Sequence, residues 1–207
     1  MNPILEHFET AYIESQNLLP ILREWAYPKN FISRLVKKGE LIRLKNGFFL
    51  IANKIKKDPV PFNQIANLLY GPSYLSFEWA LSYYGMIPEG VYVVTSASAT
   101  KSKTYITPLG AFDYYYLSHS RYAMGIDQKK DFGGSYLIAT PEKALADVIH
   151  FKSRGLESPK DMLIDLVEAR RIDDDVLRQL NKNHLVEIAE NYKSRAVNQL
   201  IQAIGLL

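Results

Sequence analysis

Six basic side chains stand close together in one short segment of the chain, between Pro28 and Ile51. They are Lys29, Arg34, Lys37, Lys38, Arg43 and Lys45. Lysine and arginine bind phosphate oxygens, and arginine also reads the edge of guanine in the major groove of DNA. The chemistry available to these residues is therefore the binding of a polyanion, provided that the fold presents them on one surface.

The basic charge is concentrated in the first part of the sequence. Leu18 to Lys57 contains ten Lys or Arg and two Asp or Glu, a net charge of +8, whereas the whole chain carries +3. Such asymmetry is typical of an electrostatic footprint limited to one domain. The polar, proline-containing stretch Asn53–Pro61 suits a linker. We therefore predict two domains, residues 1–57 and residues 58–207.

The segment from Pro28 to Lys38 has the pattern of a short amphipathic helix. At about 100° per residue, apolar and polar side chains fall on opposite sides. The apolar side holds Phe31, Ile32, Leu35 and Val36, and the polar side holds Lys29, Asn30, Ser33, Arg34, Lys37 and Lys38. Pro28 is typical of a first helical turn and Gly39 of the residue after a helix end.

A β-hairpin is predicted directly after this helix. The strand-like runs Leu41–Leu44 and Gly47–Ile51 are joined through Asn46-Gly47, and Asn-Gly is the strongest short-range hairpin signal. Upstream, Pro3–Ser15 and Asn17–Ala26 both have helical patterns.

The predicted order is helix, helix, tight turn, basic helix and basic hairpin, which is the order of a winged helix-turn-helix. In such domains the second helix of the pair enters the major groove. A polar face exposed to solvent is enough to explain the charges of the helix alone or of the hairpin alone. The two basic elements occur together and in this order, and that combination favours DNA binding. The predicted DNA-binding residues are Lys29, Asn30, Ser33, Arg34, Lys37, Lys38, Arg43, Lys45 and Asn46.

The stretch FISRLVKKGELIRLKNGFFLI resembles the N-terminal winged helix of the AbiEi-type antitoxins, the regulators of abortive-infection type IV toxin–antitoxin pairs. Three later stretches, GPSYLSFEWALSYYGMIPE, TYITPLGAFDYYYL and IATPEKALADVI, are similar to blocks of that family's C-terminal domain. The resemblance spans most of Leu18–His150. The final part of the chain is similar to the family only in its helical pattern, without a shared motif. One departure from the family pattern is Phe49, where the family often has Tyr. Phe49 lacks the hydroxyl of Tyr, which could reach a phosphate.

The resemblance implies a transcriptional regulator that represses its own operon by binding double-stranded DNA at its promoter. It also implies an antitoxin whose functional partner is a nucleotidyltransferase-like toxin from the adjacent gene, with no stable complex required. Helix-turn-helix regulators commonly bind inverted repeats as pairs. Two alternatives stay open: a stand-alone regulator whose second domain senses a ligand or a protein partner, and a DNA-processing enzyme that uses the winged helix for targeting.

The second domain is expected to be α+β, with an antiparallel sheet and C-terminal helices. Helical patterns cover Val60–Gly71 and Ser73–Gly85. β-rich runs at residues 91–98, 103–108 and 112–118 predict an antiparallel meander, and residues 122–139 predict a further hairpin or loop. Thr140-Pro141-Glu142 is typical of a helix start. The tail predicts helices from Ser158, from the Asp173–Asp175 cap and from His184 to Ile204.

Catalytic patterns are weak in this sequence. The four histidines lie far apart, and neither a cysteine nor a glycine-rich phosphate loop is present. Asp131, Glu142 and Lys143 fail the spacing of a nuclease site, which needs Glu-x-Lys on one strand. Ser73, Ser76 and His119 have no recognisable third group to orient them. We therefore expect a non-enzyme without cofactor or metal.

The composition is that of an ordinary globular protein, with 47% hydrophobic residues and 23% charged residues. No apolar run approaches the roughly 18 residues that span a bilayer. The N-terminal stretch carries acids where a secretory signal has a basic start and an apolar run. A soluble cytoplasmic protein is expected.

Overall fold

The computed structural model describes residues 2–153, 155–156 and 158–207, and it is a mixed α+β protein. The helices are α1 (Pro3–Glu6), α2 (Ser15–Leu18), α3 (Pro28–Lys37), α4 (Ala52–Ile55), α5 (Phe62–Leu69), α6 (Phe77–Tyr83), α7 (His119–Tyr122), α8 (Pro141–Lys152), α9 (Pro159–Ile164), continued by a π-helical turn at Asp165–Ala169, α10 (Asp174–Arg178), α11 (Lys182–Tyr192) and α12 (Arg195–Ile204). The strands are β1 (Tyr12–Glu14), β2 (Leu41–Lys45), β3 (Phe48–Ile51), β4 (Ser73–Leu75), β5 (Val94–Ser98), β6 (Lys103–Thr107), β7 (Gly110–Tyr116), β8 (Ile126–Asp131) and β9 (Gly134–Ala139).

A small antiparallel sheet with the order β1-β3-β2 organises the N-terminal part. Helix α3 packs against it through Phe31, Ile32 and Leu35, which are buried. The amphipathic helix predicted from Pro28 is therefore confirmed. The hairpin predicted at Asn46-Gly47 is also confirmed, and its turn requires a positive φ of 79° at Gly47.

Two N-terminal helix predictions were wrong in extent. The helix predicted over Pro3–Ser15 ends at Glu6, and Tyr12–Glu14 instead pairs with β3. An aromatic and a β-branched residue suit this pairing, and the free edge of β3 supplies the backbone partners that override helix propensity. Within Asn17–Ala26 only Asn17 and Leu18, the last residues of α2, are helical, because Pro20 cannot donate a backbone hydrogen bond and the chain continues in turns.

Strand β3 is buried on both faces. Phe49 and Ile51 belong to the N-terminal core, whereas Phe48 and Leu50 belong to the large core of the rest of the chain. Side chains alternate across a strand, so one strand serves two cores. The boundary proposed at Asn53–Pro61 stays a prediction, but the parts on either side of it are joined by apolar packing.

The second part contains a six-stranded sheet with the order β6-β7-β5-β4-β9-β8. The α+β class, antiparallel pairing and C-terminal helices are confirmed, although β5 pairs parallel to β7 and β4 parallel to β9. The predicted meander was wrong, because β7 lies between β5 and β6. Strand β7 buries Phe112 and Tyr114 inside the sheet, while β6, with exposed Lys103 and Ile106, takes the edge.

Local features of the helices fit the sequence with two exceptions. Thr140 caps α8 and Asp173 caps α10 as predicted. The helix predicted from Ser73 begins only at Phe77, since Ser73–Leu75 forms a strand between β5 and β9. The last helix is divided in two at Lys193, which adopts a left-handed conformation with a φ of 48°.

A buried ion pair lies beneath the large sheet. The Lys143 ammonium is 3.2 Å from the Asp147 carboxylate, and both side chains are fully buried on α8. Hydroxyls of Tyr74, Ser76 and Tyr192 donate to the same carboxylate. Burial lowers the pKa of Lys143, and burial together with Asp147 raises the pKa of Tyr74 and of Tyr192.

Removing the ammonium of this pair should destabilise the fold. Lys143→Met leaves a buried carboxylate without its counter-charge, which costs about 3–5 kcal/mol of unfolding free energy. Arg178→Met, which removes exposed ion pairs with Asp174 and Asp175, is the control and should cost less than about 1 kcal/mol. Urea unfolding followed by circular dichroism measures both. Similar small losses in the two variants would contradict a structural role for the Lys143 charge.

Candidate nucleic-acid interface

Helix α3 presents its polar side to solvent. All six polar-side residues are exposed: Lys29, Asn30, Ser33, Arg34, Lys37 and Lys38. Within the described part of the chain, none of the four bases among them forms an ion pair. Four cationic groups on one short helix are thus available to an external anion.

The hairpin adds a second exposed basic element beside α3. Arg43 and Asn46 are exposed, and the Arg43 guanidinium carbon lies 5.6 Å from the centre of the Phe49 ring. This cation–π contact orients Arg43 without neutralising its charge. Phe49 is itself buried, so its ring supports Arg43 from the N-terminal core.

A groove of about 420 Å³ separates α3 from the hairpin. Lys29 and Ser33 line it from the helix, and Arg43 and Asn46 line it from the hairpin. Among the residues that the structure describes, neither Asp nor Glu lines this groove. The groove therefore has two cationic walls, and its positive potential is not offset by a carboxylate at its surface.

One short connection, Gly39-Glu40, sets the orientation of the hairpin relative to α3. Gly39 has a φ of 69°, a left-handed conformation that favours glycine, and its N–H donates to the Val36 carbonyl. The Glu40 N–H then donates to the Leu35 carbonyl, and the chain enters β2 at Leu41, which is buried. This turn places β2 alongside α3, so the two basic elements face the same groove.

The predicted residues do not all lie in the groove. Four of them line it, while Asn30, Arg34, Lys37 and Lys38 lie elsewhere on the exposed surface of α3 and its C-cap. Arg34 places its guanidinium carbon 5.8 Å from the centre of the Phe31 ring. The groove and the outer helix surface together form the candidate interface.

Lys45 differs from the other predicted residues. Its side chain is half-buried, and its ammonium donates to the carbonyls of Leu68 and Leu69 at distances of 3.2 and 2.6 Å. These carbonyls end α5, where the helix dipole favours a cation. Lys45 is therefore engaged within the chain, at the contact between the hairpin and the second part.

Two residues of the groove lie outside the basic helix and the hairpin from which the DNA-binding residues were predicted. Ser15 and Leu19 line it from the α2 side. Neither residue type carries a nucleic-acid signal, and the helix pattern assigned to this region hid the turn that brings it to the hairpin. The Ser15 N–H donates to the carbonyl of Gly47 at 2.8 Å, which fixes α2 against the hairpin turn.

The residues weighed for catalysis are dispersed or engaged. Asp131 accepts hydrogen bonds from the side-chain amides of Asn63 and Gln64. Glu142 accepts from the backbone N–H of Asn181, and Lys143 is paired with Asp147. Among the described residues, no group of three His, Asp or Glu side chains is arranged to hold a metal ion.

The comparisons with known proteins found no match: no protein-family model fits the chain, and no curated protein is significantly similar to it. No helix in the described part of the chain is both long and apolar enough to cross a membrane.

Lys45 and Lys37 should differ in their contribution to stability. Lys45→Met removes charged hydrogen bonds to the end of α5 and should lower the unfolding free energy by about 1–2 kcal/mol. Lys37→Met, on the exposed side of α3, should change it by less than about 0.5 kcal/mol. Urea unfolding measures both values. An equally small loss in both variants would mean that the Lys45 contact contributes nothing to the packing of the hairpin.

Proposed function

We propose that this protein is a DNA-binding transcriptional regulator that docks its N-terminal part on duplex DNA. One observation carries the proposal: Lys29 and Arg43, exposed bases without ion-pair partners in the described chain, line a groove in which none of the described lining residues is Asp or Glu. Phosphate neutralisation by such residues supplies most of the affinity of DNA-binding proteins. In this arrangement α3 enters the major groove, and the hairpin lies along the adjacent backbone.

The order of elements supports a winged helix-turn-helix. Along the chain the elements follow in the order α1, β1, α2, α3, β2 and β3, and β1 joins the β2–β3 hairpin in a three-stranded sheet. Helix α3 contains ten residues. An α-helix with its side chains is about 10–12 Å in diameter, which fits a major groove about 12 Å wide. The turns between α2 and α3 take the place of the tight turn of the motif, and the hairpin takes the place of the wing.

The roles of the two arginines follow from their positions. Arg34 lies on the exposed surface of α3, from which a side chain reaches base edges. Arg43 lies on the hairpin, stacked on Phe49, and from there it contacts the phosphate backbone. If the basic surface were exposed to solvent without being a DNA-binding site, Arg34 would not recognise bases and Arg43 would not hold the phosphate backbone. The charges would then bind DNA weakly and without discrimination between sequences.

Binding of the protein to DNA from its own promoter should weaken steeply with salt, because phosphate contacts release counterions. Arg34→Ala should cost about 1–3 kcal/mol on the operator and much less on a scrambled duplex. Arg43→Ala should weaken both duplexes equally and reduce the slope of log affinity against log salt by about 1. Fluorescence anisotropy titrations at several salt concentrations measure these values.

The matched control is Lys182→Ala, an exposed lysine at the start of α11, outside the interface. An affinity for DNA that does not change with salt would overturn the proposal. Equal losses on both duplexes for Arg34→Ala would reduce Arg34 to a phosphate contact.

We further propose that the regulator represses its own operon and acts as the antitoxin of a nucleotidyltransferase-like toxin. This part is supported by the sequence resemblance to the AbiEi-type antitoxins. In that family repression and neutralisation can be separate tasks. A variant that has lost operator binding can therefore separate the two.

Co-expression with the toxin from an unrelated promoter removes repression from the test. The full-length protein should restore growth, and Arg34→Ala should restore it equally well if neutralisation does not use DNA binding. Colony counts after toxin induction measure the rescue. Failure of the full-length protein to rescue would remove the antitoxin role and leave the DNA-binding proposal intact, because operator titrations are independent of the toxin.

A further inference from the structure

A second cavity, of about 480 Å³, opens on the surface of the six-stranded sheet region. Helix α6 lines it through Leu81, the segment before β5 lines it through Ile87 and Val91, and β7 lines it through Tyr115. Its volume lies within the range of small-molecule sites in proteins, about 300–1,000 Å³. The apolar and aromatic lining suits a ligand with a compact apolar body.

Most charged groups at the rim of this cavity are paired. Glu78 and Lys152 form an ion pair of 2.7 Å, and the charges of these two side chains offset each other. Arg170 is paired with Asp165 at 2.7 Å, outside the lining. These pairs leave little net charge on their side of the cavity.

Glu89, which also lines the cavity, is paired with Arg171 at 3.2 Å. The remaining carboxylate of the lining is Asp113. Among the described residues, no basic side chain forms an ion pair with Asp113. The charge of the lining that is left without a counter-charge is therefore negative.

Asp113 is held in place by the sheet. It lies on β7 beside Thr95 of β5 and Thr104 of β6, and the Thr104 hydroxyl donates to its Oδ1 at 2.6 Å. Within the described chain, its Oδ2 has no hydrogen-bond donor. One carboxylate oxygen is thus positioned by the protein, and the other is free for a ligand.

We propose that this cavity binds a small amphipathic amine, whose apolar body lies against Leu81, Ile87 and Tyr115 and whose ammonium group pairs with Asp113. The ammonium supplies the missing counter-charge and a donor for the free Oδ2. The ring of Tyr115 offers an apolar wall to the body of such a ligand. The inference does not depend on DNA binding by the N-terminal part.

Three probes with the same apolar body and different charge test this inference on the full-length protein. They are tryptamine, which is cationic, tryptophol, which is neutral, and indole-3-acetate, which is anionic. Isothermal titration calorimetry and ligand-observed NMR at fixed ionic strength measure their binding. We expect tryptamine to bind at least about tenfold more tightly than indole-3-acetate, with tryptophol between them.

Asp113→Asn should remove this preference, because the amide keeps an acceptor for Thr104 but carries no charge. Glu187→Gln, an exposed acid on α11 outside the cavity, is the matched control and should keep the preference. Circular dichroism establishes that both variants are folded. The inference is overturned if tryptamine does not bind in the low-millimolar range, if the three probes bind equally, or if Asp113→Asn keeps the preference for the amine.

Discussion

The burial of β3 on both faces is the constraint on which the rest of the structure depends. Phe49 and Ile51 close the core beneath α3, while Phe48 and Leu50 close the core of the second part. The hairpin cannot shift relative to either part without exposing one of these pairs to water. Since α3 packs on the same sheet, the orientation of the basic surface is set by two cores at once.

Helix α5 connects the hairpin to the six-stranded sheet region through contacts at both of its ends. The Lys45 ammonium binds the carbonyls at its C-terminal end, and the Asp131 carboxylate binds side chains of its first turn. Asn63 of that turn accepts a hydrogen bond from the Trp79 indole, and the Trp79 backbone N–H donates to Thr95, which lines the 480 Å³ cavity. A continuous series of contacts therefore joins the cavity in the second part to the hairpin of the first.

Features with a local cause could be predicted from the sequence. The amphipathic pattern of α3, the Asn-Gly turn and the Thr140 cap each depend on a few neighbouring residues, and all three are confirmed. Strand β1 could not be predicted, because it forms by pairing with the free edge of β3, which is distant in the sequence. The position of β7 inside the sheet likewise depends on which strand buries more apolar surface.

The same difference between local and long-range causes applies to the candidate site. The exposed residues of α3 follow from helical spacing, but charge alone does not show that Lys45 turns inward to the end of α5. The unpaired charge of Asp113 could not be predicted from the sequence either, because the basic side chains near it are taken up by other acids. Two of these ion pairs, Lys152–Glu78 and Arg171–Glu89, join residues distant in the chain. In both cases the deciding contact is long-range.

The alternating burial of β3 also bears on how the sequence can vary during evolution. Positions 49 and 51 are constrained by the helices of the N-terminal part, and positions 48 and 50 by the second part. We therefore expect neighbouring residues of this strand to covary with different sets of contacting residues. An exchange of the basic part between homologues would be compatible only where the residues at 48 and 50 still match the second part of the recipient.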